Sequence, residues 1–274
     1  MTRETWVVKL GGELLVDPAA RRRLMTDLVA LRGPDVRLVI VHGGGPQADA
    51  LARSLGHEPR KVQGRRITTD TDLAIARYLY GGALNLDILA DLAALGVSGL
   101  RVSGVDGDLL RAVRRPPVVM PGAGEEPVDF GHVGDVTGVN PAILELLLGH
   151  GHVPVVSPLA HDGQGSILNV NADTVATTVA RALKASRLVL LTGVPGVLDA
   201  GGRVIPHLDR PSVERLIAGG VLTGGMIPKV RNALEGVEAG IGAVHVLDVA
   251  GLPTLTSPAP AGTMIVAAPE DSRG

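Results

Sequence analysis

The chain has no cysteine, few aromatic residues and almost no net charge, and each of these absences excludes a class of function. Without cysteine there is no disulfide, no thiolate metal site and no cysteine nucleophile, as is common in a reducing compartment. A formal net charge of −2 and an aromatic content of 1% argue against nucleic acid, which usually binds a basic face with stacking rings. No stretch reaches the roughly 18 uninterrupted apolar residues of a membrane span. We therefore expect a soluble, cytoplasmic protein with no nucleic-acid or membrane partner.

Lysine is scarce as well, because only four of the 26 basic residues are lysine. Two of the four, Lys9 and Lys229, lie in the glycine-rich segments Lys9-Leu10-Gly11-Gly12 and Gly224-Gly225-Met226-Ile227-Pro228-Lys229. A chain that otherwise uses arginine keeps lysine where a compact ammonium on a flexible stem is needed. Glycine lets backbone N–H groups approach an anion closely. The two segments together suggest a phosphate ligand.

The order of apolar segments predicts an α/β protein. With 274 residues, 45% of them hydrophobic, the chain forms one large domain or two closely joined lobes. Strand-like segments alternate with helical ones, which favours a mainly parallel open sheet sandwiched by helices on both faces, in three layers. The predicted strands are 5–10, 36–42, 100–103, 153–157, 187–191 and 242–247. The other predicted elements are helices over 17–31 and 70–95, a hairpin over 61–68 and a surface connection over 114–126.

A glycine-rich turn follows the second predicted strand. His42-Gly43-Gly44-Gly45-Pro46 opens a helix that runs to about Leu55. The unpaired N–H groups of a helix amino terminus attract anions. Because this terminus comes just after the carboxyl end of a strand, it is where open α/β sheets bind their ligands.

Polar residues are densest at Asn169-Val170-Asn171-Ala172-Asp173, before a run of Ala, Thr and Val. Helix capping by Asn or Asp explains one of these three residues but not all of them. A carboxylate held by hydrogen bonds could orient the two lysines, and two asparagine amides could position a carboxylate substrate. An acidic group beside a phosphate site needs cations placed with it, so we expect Asp173 to be functional.

Five motifs in this order resemble those of the amino acid kinase family, and within it the N-acetylglutamate kinases. They are Lys9-Leu10-Gly11-Gly12, His42 to Gln47, Gly64-Arg65-Arg66-Ile67-Thr68, Asn169 to Asp173, and Gly224 to Lys229. The resemblance runs from about residue 5 to residue 266. It implies the carbamate kinase-like fold and the ATP-dependent phosphorylation of the side-chain carboxylate of N-acetyl-L-glutamate, the second step of arginine biosynthesis.

The resemblance also implies roles for individual residues. Lys9 and Lys229 would stabilise the transferring phosphoryl group, and Asp173 would organise both lysines. Further residues fall into two groups: the acylated amino acid would be held by Gly44, Gly45, Arg66, Asn169 and Asn171, and ATP by Gly11, Gly12, Thr192, Gly193, Val194, Gly196, Val197, Leu198 and Met226. The first group lies mostly in an amino-terminal lobe of about residues 1–165, and most of the second in a carboxyl-terminal lobe of about residues 166–274.

Metal would reach the protein with the nucleotide. No dedicated cluster of carboxylates is visible in the sequence, so Mg²⁺ is expected to arrive bound to ATP. In phosphoryl transfer to a carboxylate the acceptor oxygen is already an anionic nucleophile, and no general base is needed. Adenine is expected to lie among aliphatic side chains, because aromatic residues are too few.

Two positions depart from the family pattern. Leu86 follows Asn85 where the family commonly has Lys, and Gly193 stands where an Asp is common. Both departures weaken the nucleotide contacts that can be assigned.

Two alternatives stay open. A related kinase of lysine biosynthesis phosphorylates an aminoadipate carried on a small acidic protein, and a basic rim formed by Arg111, Arg114 and Arg115 would favour it. The second alternative is a non-catalytic amino acid sensor on a kinase scaffold, which measurable ATP turnover would exclude.

The association state is expected to be a homodimer. The resemblance implies that family members inhibited by arginine are hexamers, assembled through an extra helix ahead of the first strand. In this chain the first predicted strand begins within about five residues of Met1. We therefore expect a homodimer insensitive to arginine. Its interface would be the 70–95 helix, whose apolar residues recur at helical spacing. The same residues could instead cover the protein's own sheet. They are Leu73, Ala76, Leu79, Ala83 and Leu84.

Overall fold

The computed structural model describes residues 3–33, 35–120, 124, 126–223 and 226–267. Its strands are β1 (Glu4–Leu10), β2 (Val36–His42), β3 (Lys61–Val62), β4 (Arg65–Arg66), β5 (Gly99–Ser103), β6 (Leu110–Arg114), β7 (Gly134–Val139), β8 (Val153–Ser157), β9 (Leu159–His161), β10 (Ile167–Asn169), β11 (Arg187–Leu191), β12 (His207–Leu208), β13 (Ala243–Leu247) and β14 (Thr263–Ile265). Its α-helices are α1 (Pro18–Arg32), α2 (Gly45–Ser54), α3 (Asp70–Tyr78), α4 (Leu84–Ala94), α5 (Ala142–Gly149), α6 (Ala172–Ala182), α7 (Arg210–Ala218) and α8 (Met226–Glu238). None of these helices is long and apolar enough to cross a membrane.

The chain divides into two compact units, residues 1–40 with 176–274, and residues 41–175. The first forty residues therefore group with the carboxyl-terminal part of the chain rather than with the residues up to 165. Which ligand each unit takes stays a prediction.

The first unit carries strands in the order β12-β14-β13-β11-β1-β2, and β2 leaves the unit after Ile40. β1 pairs in parallel with β11, and β11 with β13, whereas β14 runs antiparallel to β13. The central strands are buried almost throughout, for example Val7, Leu188 and Val244 at 0% exposure. Such continuous apolar runs are typical of parallel strands covered on both faces.

The second unit pairs β5 with β8 in parallel and adds a smaller sheet in the order β10-β9-β6-β7. β3 and β4 form a short antiparallel hairpin. Helices α2 and α3 pack together around a small apolar cluster that includes Ala48, Ile75, Ala76 and Tyr80. The α/β class with a mostly parallel main sheet is thus confirmed.

Helices α3 and α4 are joined without a break by one wider, π-helical turn over Leu79–Ala83. The amide of Leu84 donates to the carbonyl of Leu79, five residues back instead of four. The turn contains Gly81 and Gly82. The single helix predicted over 70–95 is therefore two α-helical parts in different registers.

Most predicted elements are present, and one connection differs in detail. The first helix begins at Pro18 after Asp17, whose carboxylate accepts from the amide of Ala20 at 2.8 Å. The predicted surface connection over 114–126 is not wholly irregular, because β6 extends to Arg114 and Val118 bridges Val128. Four of the residues in that stretch, 121–123 and 125, lie outside the described residues.

Two buried histidines predict a specific loss of stability in mild acid. Burial lowers the pKa of His42 from 6.5 to about 4, and burial together with the charge of Arg187 lowers the pKa of His245 from 6.5 to about 4. The unfolded chain binds both protons below about pH 6.5, but the folded chain binds them only near pH 4. The free energy of unfolding is therefore full above pH 6.5 and falls by roughly 3 kcal/mol per ring as the pH drops to 4.

Urea unfolding between pH 7.5 and 4.5 measures this loss. The pKa values of Asp49 and Asp72 lie below 3.8, so these groups add their own pH dependence only in stronger acid. In a His245→Gln variant, the slope of the free energy of unfolding against pH should be about half that of the parent chain. An unchanged slope in that variant would contradict the assignment.

Candidate functional site

The glycine turn after β2 forms the amino terminus of α2. Gly44 precedes the helix with φ −172° and ψ 25°, Pro46 lies in the first turn, and no side chain caps the terminus. The carbonyl of Gly44 accepts the first intrahelical bond, from Ala48 at 2.9 Å. By position, the N–H groups of Gly44 and Gly45 have no acceptor within the helix. Together with the helix dipole they make a site suited to an anion.

Gly44 is packed directly against Tyr80. A Cβ atom on Gly44 would lie 2.6 Å from Tyr80 Cε1 and 3.0 Å from Leu84 Cδ2. Tyr80 is 5% exposed, whereas Tyr78, two residues earlier, is 76% exposed. Tyr80 is therefore part of the wall of this site, a role that the sequence did not predict.

Arg66 lies beside the glycine turn. Its Nη2 donates to the carbonyl of Gly45 at 3.3 Å and to Asp49, and its Nη1 donates to Asp72 at 3.2 Å. The guanidinium side chain is only 11% exposed. Arg66 thus joins α2 to α3 and is fixed in orientation by two carboxylates.

Asp72 is the centre of a buried polar network. Its carboxylate accepts from the amide of Thr69 at 3.1 Å, from the Thr69 hydroxyl at 2.6 Å and from His57 Nε2 at 3.1 Å. Burial raises the pKa of Asp72, but the hydrogen bonds from Thr69 and His57 outweigh burial and hold the pKa below 3.8. Asp72 therefore stays charged at neutral pH and keeps its hold on Arg66.

Asn169 is tied to the same part of the second unit through Thr68, two residues after Arg66. Its Nδ2 donates to the Thr68 hydroxyl at 3.1 Å. Backbone bonds link His132 to Thr68 and Asn169 to His132, each at 2.8 Å. These bonds bring β10 to the segment that follows β4, and so relate two of the predicted substrate residues.

Asn171 caps helix α6. Its Oδ1 accepts from the amide of Asp173 at 2.8 Å and from that of Thr174 at 3.2 Å. Its side-chain oxygen is therefore used for capping, and any substrate contact would come from its amide N–H groups. Asp173 lies in the first turn, where the helix dipole stabilises a carboxylate.

In the first unit, Lys9 is the next-to-last residue of β1 and is only 9% exposed. The amide of Gly11 donates to the carbonyl of Leu191 at 3.3 Å. A phosphate contact from Gly11 would therefore require this bond to be exchanged. Gly12 begins a short 3₁₀ turn and is buried.

The predicted nucleotide segment follows β11. The amide of Thr192 donates to the carbonyl of Leu247 at 3.1 Å, and the amide of Val197 to the Thr263 hydroxyl at 2.8 Å. Val194 and Leu198 are each 37% exposed, and Gly193 is exposed as well. The segment thus presents aliphatic side chains, the surface expected for adenine.

Lys229 lies in the first turn of α8, which Met226 begins. Its exposure is intermediate. Gly224 and Gly225 of the predicted motif lie outside the described residues. Within the described ranges, no group of three His, Asp or Glu residues is arranged to hold a metal ion.

Comparison with known proteins agrees with these motifs. Residues 4–248 match the model of the amino acid kinase family. The chain is 44% identical over 271 residues to an acetylglutamate kinase from Anaeromyxobacter sp. (strain Fw109-5), covering 96% of this chain and 99% of that protein.

Two solved structures are similar as well. The first is N-acetylglutamate synthase from Neisseria gonorrhoeae, complexed with coenzyme A and N-acetyl-glutamate, with a TM-score of 0.82 and 26% identity. The similarity covers 98% of this chain but only 61% of the length of the synthase. The second is Giardia carbamate kinase, with a TM-score of 0.70 at 15% identity over 98% of this chain and 100% of that chain, which shows the fold alone.

Proposed function

Because this chain belongs to the amino acid kinase family, we propose that it transfers the γ-phosphoryl group of ATP to the side-chain carboxylate of N-acetyl-L-glutamate. The products are ADP and N-acetyl-L-glutamyl 5-phosphate, in the second step of arginine biosynthesis. The observation that carries the proposal is the pairing of Arg66 with the uncapped terminus of α2 at Gly45. Two anion-binding features within one unit suit an acceptor with two carboxylates.

The second unit supplies the acceptor's contacts in this proposal. The N–H groups of Gly44 and Gly45 hold the carboxylate that is phosphorylated, and Arg66 and Asn169 hold the α-carboxylate. Asn171 adds an amide donor. The carboxylate oxygen attacks phosphorus as an anion, so these groups position it and remove no proton.

The first unit supplies the nucleotide's contacts. Lys9 and Lys229 neutralise charge on the transferring phosphoryl group, and the role of Asp173 in organising the lysines stays a prediction. The other predicted nucleotide residues lie in three segments of the chain: Gly11 and Gly12; Thr192, Gly193, Val194, Gly196, Val197 and Leu198; and Met226.

Mg²⁺ fits this donor set as a companion of ATP. Ammonium and backbone N–H groups are ligands for phosphate oxygens and not for a cation, so the triphosphate itself would hold the ion. When bound with ATP, Mg²⁺ would reduce the negative charge on the phosphate oxygens.

An ADP-release assay with hydroxylamine trapping of the acyl phosphate tests the function. We expect turnover with N-acetylglutamate and little with glutamate, aspartate or carrier-linked aminoadipate. A preference for the carrier-linked substrate would assign the chain to the lysine pathway instead. Absence of ATP turnover with every acceptor would favour the sensor.

The arginines that would form a basic rim for an acidic carrier are all ion-paired. Arg111 lies 2.8 Å from Asp108, Arg114 2.8 Å from Asp129 and Arg115 2.5 Å from Asp135. Arg66 is ion-paired as well, with Asp49 and Asp72, so the substrate comparison in the ADP-release assay decides between the small acceptor and the carrier protein.

Alanine at Gly44 and at Gly45 should impair the protein in different ways. A methyl group on Gly44 would clash with Tyr80, and we expect it to cost about 1–3 kcal/mol of stability. A methyl group on Gly45 meets nothing within 4 Å, so the melting temperature should stay at the parental value. The methyl group would enter the space assigned to the acceptor, so KM for N-acetylglutamate should rise while KM for ATP does not. An unchanged KM in Gly45→Ala would place the acceptor elsewhere.

We further propose that the protein acts in the cytoplasm as a homodimer. Of the apolar residues predicted for the interface, Ala76 and Leu84 are each 3% exposed, so they pack inside the protein's own core. The exposed large apolar side chains of the same predicted segment are Tyr78 at 76%, Leu86 at 52% and Leu95 at 37%, and Ala83 of the predicted interface set is exposed as well. Light scattering on a Tyr78→Glu, Leu86→Glu double variant should report a monomer where the parent chain is a dimer. A dimer in both would exclude this surface.

A further inference from the structure

His42 is the last residue of β2 and is fully buried beside the glycine turn. Its Nδ1 lies 3.1 Å from the carbonyl oxygen of Gly43. A carbonyl oxygen only accepts hydrogen bonds, so Nδ1 must carry the proton. Nε2 is then an acceptor, and it has no partner among the described residues. The ring thus makes its hydrogen bond to the backbone of the turn.

This bond fixes the direction of the next N–H group. The carbonyl of Gly43 and the N–H of Gly44 belong to one planar peptide group, in which, when trans, they point in opposite directions. When the ring holds the Gly43 oxygen toward the interior, the Gly44 N–H must point away from the ring. Glycine alone would leave this peptide free to rotate, because φ and ψ at glycine are weakly restricted.

We infer that His42 is a positioning residue, which aims the Gly44 N–H at the acceptor's carboxylate by holding the Gly43 carbonyl. The inference rests on the proposed function, in which Gly44 binds that carboxylate. It explains why a polar ring occupies the end of an otherwise apolar buried strand, Val39-Ile40-Val41. Burial lowers the pKa of His42 to about 4, so the ring remains a neutral donor throughout the physiological range.

Three substitutions separate this role from simple packing. In His42→Asn the amide nitrogen can occupy the place of Nδ1 and donate to Gly43. In His42→Gln the amide lies nearer the place of Nε2, and in His42→Leu no donor remains. We expect Leu and Gln to lower kcat/KM for N-acetylglutamate by about 10- to 100-fold, with KM for ATP nearly unchanged, and Asn to restore most of the activity.

A His245→Leu variant is the matched control, because it removes another buried histidine from a strand of the other unit. It should lower the melting temperature without raising KM for N-acetylglutamate relative to KM for ATP. If the His42 variants also change only the melting temperature, or if Asn and Gln behave alike, His42 is structural and the inference is wrong. If the Leu variant does not fold, the Asn and Gln pair decides.

A measurement that needs no substrate separates this inference from the proposed function. Nitrogen-15 spectra of labelled histidine, assigned with His42→Asn, should show the His42 ring protonated at Nδ1 only. The Nε2-protonated form would overturn the inference even if the parent chain phosphorylates N-acetylglutamate. If the parent chain prefers another carboxylate, the proposed function fails, and the same kinetic comparison on that acceptor still tests His42.

Discussion

A Lys229→Ala variant is expected to phosphorylate N-acetylglutamate about 10²- to 10³-fold more slowly than the parent chain. In phosphoryl transfer the protein contributes mainly positioned positive charge, so loss of one aimed ammonium removes transition-state stabilisation directly. The effect should appear in kcat, measured by coupled ADP release, with melting temperature nearly unchanged. Lys229 is not part of the buried core, so truncation should disturb packing little.

Lys184→Ala is the matched control, because Lys184 is an exposed lysine in the same unit. It should retain full activity. Lys9→Ala should lower kcat by a similar factor. Lys9 is only 9% exposed, although a ligand-binding lysine is expected to be exposed, so its side chain also contributes to packing. Lys9→Met keeps most of the apolar stem and separates charge from packing. Near-normal turnover in either lysine variant would remove that lysine from the mechanism.

An Arg66→Lys variant should raise KM for N-acetylglutamate by roughly 10- to 100-fold while changing KM for ATP little. Hydrogen bonds to charged groups contribute about 1.5–3 kcal/mol each, and an ammonium cannot copy a planar fork that bonds on several edges at once. In this structure the fork contacts Gly45, Asp49 and Asp72 together. Steady-state kinetics with each substrate varied in turn measure the two KM values.

Arg65→Lys provides the control, since Arg65 precedes Arg66 on the same short strand and is exposed. Both KM values should stay at the parental level in that variant. If Arg66→Lys folds poorly, Asp49→Asn gives a second route, because it weakens the hold on Arg66 while leaving the guanidinium in place. Equal changes in both KM values would remove Arg66 from the acceptor site.

The parts of the fold that sequence predicted are those with strong local patterns. β2 was predicted at Val36–His42 and is found there, because a continuous apolar run ends at a glycine turn. The smaller mixed sheet of β6, β7, β9 and β10 was not predicted. Its strands are short and mix glycine and polar residues, as in Gly134–Val139, so they lack a clear period.

The same distinction applies to the candidate site. The glycine turn and Arg66 stand out in the sequence because glycine and arginine clusters are rare local signals. The carboxylates that bind Arg66 do not stand out in the sequence. Asp49, for example, lies 17 residues away and resembles any solvated helix residue. Tyr80 was missed because its burial depends on a change of helix register, which hydrophobic periodicity does not reveal.

The wide turn makes the length of the helix between Asp70 and Ala94 adjustable at one place. A π-helical turn amounts to one residue inserted into an α-helix, and the wider turn takes up the extra residue. Deleting Gly82, where an added Cβ would meet nothing within 4 Å, should therefore let the turn close into regular α form while Ile88 and Leu92, both at 0% exposure, still face the core. A deletion within the regular part of α4 would instead rotate every later residue by about 100°. Related chains can therefore lose a residue at this turn, but not in the α-helical parts on either side of it.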